Sequence, residues 1–164
     1  MICKMETLSE EFVEKTWQEV AGFSPDRAAK EMHAMGKAQP DLLAFLLAYA
    51  DDLPQEVKEL AIYISFVVYK MFHNSSGKIR RITSREIMAR HDENALFLER
   101  LEGAHEKIFE RIAKVTVSKQ PYVMKYVLEA LMEDSEEGSV LTEDEIGLLF
   151  ILLKTEIEVL DNKA

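Results

Sequence analysis

One pattern occurs twice in this chain. Residues 39–53 read QPDLLAFLLAYADDL and residues 120–134 read QPYVMKYVLEALMED. Gln39-Pro40 and Gln120-Pro121 fall in register, as do Leu42 with Val123, Leu43 with Met124, Phe45 with Tyr126, Leu46 with Val127 and Leu47 with Leu128. An acidic turn follows each copy. A long apolar stretch comes next, ELAIYISFVVYK from Glu59 and EIGLLFILLK from Glu145. The first stretches align at a spacing of 81 residues and the second at 86, and Ala61 falls on Gly147. Self-similarity that keeps its register through each of two successive stretches is the mark of a repeated supersecondary unit, and the difference of five residues falls in the turn between them. The expectation is an internally duplicated helix pair, 39–73 and 120–160. The repeat halves are then approximately 24–77 and 104–161, related by a two-fold or a translation. Residues 1–23 and 78–103 show no counterpart in sequence.

The unit is helical. Apolar residues recur every three to four positions, and no stretch alternates with period two. Start signals are frequent. Ser9 precedes an acidic first turn, Ser24-Pro25 sets a cap before proline, and Thr142-Glu143-Asp144-Glu145 has capping-box spacing. Gln39-Pro40 separates two helices, because the residue before proline is pushed out of the helical region. Asn74-Ser75-Ser76-Gly77 reads as a loop and Ser135–Ser139 as an acidic one. The spacing predicts an all-α single domain of about seven to eight helices spanning residues 1–164. Leu60–Phe72 and Ile146–Leu153 form its centre. Trp17, Tyr49, Tyr63 and Tyr69 sit at helical spacing among aliphatics and read as core. Ser65 is expected to bond its own preceding turn.

Composition narrows the function classes. The formal charge of −10 disfavours general attraction to nucleic acid or an anionic membrane. The stretch Leu60–Phe72 is about 20 Å long as a helix, short of the ~30 Å of a bilayer core. The single Cys3 makes no internal disulfide. These features lead to the expectation of a cytoplasmic protein with no cofactor. The charge is uneven, however. Residues 78–125 hold 11 Lys/Arg against 7 Asp/Glu, while residues 126–164 hold 2 against 11.

Two groups of residues stand out. The first is the basic run Lys78, Arg80, Arg81, Arg85 and Arg90. Arginine forks suit carboxylates and phosphates, so this run is a candidate contact for an acidic partner. It could equally face the chain's own acidic surface, or its mate in a homodimer. The second is His91-Asp92 together with Glu102-Gly103-Ala104-His105. Glu-x-x-His places two metal ligands on one helix face, and a His-Asp doublet can hold a metal with an activated water. A second Glu-x-x-His and further ligands are missing, so solvated polar helix faces compete with the metal reading. Asn74–Lys78 lacks the upstream glycine and the following Ser/Thr of a phosphate-binding loop. The leading expectation is a non-catalytic interaction or assembly module, binding a protein partner or a second copy of itself. The alternative is a metal-dependent or small-ligand helical enzyme using His91, Asp92, Glu102 and His105.

Overall fold

The computed structural model describes residues 6–102, 119–136 and 141–161. Those residues form seven helices and no strand: α1 (Glu10–Ala21), α2 (Pro25–Ala38), α3 (Pro40–Ala50), α4 (Gln55–Ser76), α5 (Ser84–Glu102), α6 (Pro121–Glu136) and α7 (Glu143–Asp161). The chain is all-α, as the periodicity predicts.

The caps follow the local chemistry. Ser9 accepts from the Phe12 N–H, and Ser24 from the Arg27 N–H. Thr83 with Glu86, and Thr142 with Glu145, form reciprocal capping boxes that satisfy otherwise orphaned amides. Helix α4 runs three residues past the expected end, through Asn74, Ser75 and Ser76. Gly77 ends it at φ 78°, a left-handed conformation that glycine adopts without penalty, and its N–H bonds the His73 carbonyl. Ser76 Oγ donates to the Phe72 carbonyl, so polar residues that read as loop complete the last turn. Helix α6 likewise runs through Ser135 and Glu136, into the expected acidic loop. The start of the second repeat half, expected from about residue 104, lies outside the described residues.

Helices α4 and α7 pack on each other at the centre, with Ala61 and Gly147 both buried. Phe66, Phe72 and Phe150 are fully enclosed there, as are Leu149 and Leu152. Ile62 is only half-buried and Tyr63 is exposed, so one edge of α4 reaches the surface. Ser65 Oγ is buried without a hydrogen-bond partner among the described residues, contrary to the expected bond to its own helix.

The packing around this centre is reciprocal. Helix α1 packs on α4 and α5 on α7; α3 packs on α4 and α6 on α7; α1 packs on α6 and α3 on α5. Exchanging α1, α3 and α4 for α5, α6 and α7 leaves this set of neighbours unchanged. The two glutamines that open the repeated sequence occupy matching roles. Gln39 is wholly buried; its Oε1 accepts from Ile82 N–H at 2.9 Å and its Nε2 donates to Arg80 O at 3.0 Å. Gln120 is also buried; its Oε1 accepts from Leu8 N–H at 2.9 Å and its Nε2 donates to Glu6 O at 3.2 Å. Each amide brackets the segment leading into a helix of the other set of three, α5 for Gln39 and α1 for Gln120. Segments 6–21 and 80–102, which show no likeness in sequence, are therefore held in the same way.

Candidate functional site

The basic run does not gather into one free patch. Arg80 is paired with Glu86 at 2.6 Å, and Arg81 with Asp41 at 3.2 Å. Arg90 is shared between Glu93 at 2.9 Å and Glu158 at 3.2 Å. Lys78 and Arg85 are exposed. Ile79 and Ile82 are buried and pin the segment against the core. Arg90 belongs to a polar seam between α5 and α7. In it Asn94 Nδ2 donates to Thr155 Oγ1 at 3.0 Å, and Lys154 Nζ donates to Asn94 Oδ1 at 2.7 Å and to Glu158.

His91 and Asp92 part company. Asp92 projects into solvent, whereas His91 is buried rather than lying on an exposed polar face. Its ring sits 4.3 Å from that of Tyr49 and 5.4 Å from that of Phe45. Desolvation pushes its pKa below the ordinary value, partly opposed by Asp92. Its Nδ1 is 3.8 Å from Asp92 Oδ1, beyond hydrogen-bond distance. His105 and the side chain of Glu102 lie outside the described residues. Among the described residues, no three His, Cys, Asp or Glu side chains are placed to hold a metal ion. No helix among them is long and apolar enough to cross a membrane.

A different feature emerges where α1 meets α6. There the surface opens into a shallow cleft of about 130 Å³, lined by Trp17 and Val13 from α1 and by Tyr122, Tyr126 and Ala130 from α6. Trp17 and Tyr122 are each 37% exposed, which is high for large rings and corrects the reading of Trp17 as core. The reason is helical phase. Val13, Thr16 and Val20 take the inward face of α1, and Trp17 is left on its flank, toward α6. Glu10 and Glu14 line the cleft from α1, Lys125 and Glu129 from α6. Lys125 Nζ donates to Glu10 Oε1 at 3.0 Å and ties the two helices together. That bond, the Glu10 charge, and then the charges of Glu129 and Glu14 hold the Lys125 pKa above its ordinary value. Glu14 and Glu129 have no ion-pair or hydrogen-bond partner among the described residues.

The sequence carries no signal for this cleft, because α1 and α6 are more than a hundred residues apart in the chain. The nearest signal was Gln120. Its amide holds the segment entering α1 and so sets α1 beside α6. Comparison with family models, curated proteins and solved structures gave no match to this chain.

Proposed function

We propose that the chain is a non-catalytic helical interaction module whose contact surface is the cleft between α1 and α6. The observation that supports this reading is the pair of half-exposed rings, Trp17 and Tyr122, on neighbouring helices beside unpaired carboxylates. Tryptophan and tyrosine carry much of the binding energy at protein interfaces. They bury large apolar area while keeping few rotatable bonds. Contact through the basic run is the weaker reading, because Arg80, Arg81 and Arg90 already have carboxylate partners within the chain. The enzyme alternative would need His91 to turn out from between Tyr49 and Phe45 before it could meet a ligand held by Asp92.

The test is site-specific photo-crosslinking in the native cell. A photoreactive phenylalanine analogue at Tyr122 is expected to form a discrete adduct with one partner, and the same analogue at Lys78 is not. An adduct from Lys78 alone, or stoichiometric metal in the purified protein that is lost on replacing His91, would overturn the reading.

A further inference from the structure

We infer that the cleft between α1 and α6 takes an arginine side chain from a basic segment of a protein partner. This inference rests on the interaction-module reading and names the group that the cleft would recognise. Three observations lead to it. The first is the pairing of aromatic faces with free carboxylates. Trp17, Tyr122 and Tyr126 supply rings, while Glu14 on α1 and Glu129 on α6 supply negative charge from both flanks. Among the described residues the one cation lining the cleft is Lys125, and it is bonded to Glu10. A cation over an aromatic face is attracted by the ring's quadrupole. A planar guanidinium adds forked donors that suit carboxylates, which a lysine ammonium lacks. The acidic lining also disfavours an anionic occupant.

The second observation is that the chain uses the same combination on its own surface. The guanidinium of Arg27 lies 3.9 Å from the Phe23 ring centroid while its Nε donates to Glu31 at 2.7 Å.

The third comes from the reciprocal packing. Gln39 and Gln120 place residues 80–82 and 6–8 alike, so Trp17 of α1 falls at the position that His91 holds on α5. Between α3 and α5, His91 packs on Phe45 and Tyr49. Tyr126 aligns with Phe45 in the repeat, but Ala130 aligns with Tyr49. Among the described residues the α1–α6 cleft thus has the small Ala130 where its counterpart has the Tyr49 ring, and Tyr122 where its counterpart has Asp41, so its aromatic lining is set along the open surface rather than closed around a histidine.

The experiment uses the full chain and the intrinsic fluorescence of Trp17, its only tryptophan. The protein is titrated with N-acetyl-arginine amide and with a blocked glycine-serine nonapeptide carrying one central arginine. N-acetyl-citrulline amide and tetramethylammonium serve as comparisons, and amide chemical shifts locate the binding. The arginine probes are expected to shift Trp17 emission and the resonances of α1 and α6. Citrulline, which keeps the shape but not the charge, should bind at least about tenfold more weakly. Glu14→Gln combined with Glu129→Gln should weaken arginine binding by about tenfold or more, with the circular-dichroism spectrum unchanged. Equal binding of citrulline, tighter binding of tetramethylammonium than of either arginine probe, or no perturbation at α1 and α6 would each overturn the inference. If the Tyr122 crosslink persists while arginine does not bind, only the arginine assignment fails. If both are absent, the module reading fails with it.

Discussion

Glu156 is a carboxyl group in the wrong solvent. Helix α7 is packed by α4, α5 and α6, so even this acidic position is fully enclosed. Neither carboxyl oxygen has a geometrically formed hydrogen bond among the described residues. Desolvation drives its pKa well above the ordinary value, and nearby Ser65 opposes this only in part. The sign of the consequence follows by linkage. Below the unfolded-state pKa both states hold the proton, and the group costs folding nothing through ionisation. Above it the unfolded chain ionises while the folded chain keeps its proton, so stability falls as pH rises toward the folded pKa. The slope from one such group is at most about 1.4 kcal/mol per pH unit. Glu156→Gln should therefore raise the melting temperature, and raise it more at pH 8 than at pH 5. Equal shifts at both pH values would show that Glu156 is not a buried acid. His91 carries the opposite sign. Its depressed pKa makes folding less favourable as pH falls below the usual histidine range. His91→Phe should reduce the loss of stability between pH 7 and pH 5, measured by urea denaturation at each pH.

At the scale of elements, two side-chain amides do work that backbone ladders do in sheets. Gln39 and Gln120 satisfy the buried amides of Ile82 and Leu8, and so fix where α5 and α1 begin. Removing either side chain leaves a buried N–H unpaired, at a cost of about 1–3 kcal/mol. Gln120→Ala should also speed hydrogen exchange at Leu8 and loosen α1 from α6, while Ile82 stays protected; Gln39→Ala should do the reverse. If both variants relax both segments alike, the two clamps are not independent. Arg80 and Arg81 are a contrast, since their pairs are exposed. Arg80→Ala or Arg81→Ala should change stability by only about 0–1 kcal/mol in thermal melts. The helices themselves were legible, because caps such as Ser9, Ser24 and Thr142 and the spacing of apolar residues are local signals. Gln39 and Gln120 were visible as repeated residues, but not as clamps, because their partners lie some forty to more than a hundred residues away. The candidate cleft was illegible for the same reason. Trp17 at helical spacing looks like core until the phase of α1 against α6 is known. The shared origin of the two halves is a proposal that accounts for the matching clamps. Its test is superposition of the Cα traces of the two helix pairs, with Ala61 over Gly147.

For the whole molecule, the interlocking decides how the chain unfolds. Gln39 at the start of α3 holds residues 80–82 ahead of α5, Gln120 at the start of α6 holds residues 6–8 ahead of α1, and α4 meets α7 along the buried centre. Neither the set α1, α3 and α4 nor the set α5, α6 and α7 can open without stripping buried polar groups and apolar surface from the other. The expectation is one cooperative transition, with far-UV circular dichroism and Trp17 fluorescence tracing the same curve in urea. Trp17 reports from the α1–α6 contact and the far-UV signal from all helices, so divergence of the two curves would reveal halves that melt separately. Phe66→Ala sharpens the test. Phe66 is 1% exposed on α4, and its truncation should cost roughly 3–5 kcal/mol through lost packing and a residual cavity. In an interlocked molecule that loss moves both curves together, including the fluorescence of Trp17 on a different helix. In a molecule of two independent halves, it would split the transition instead.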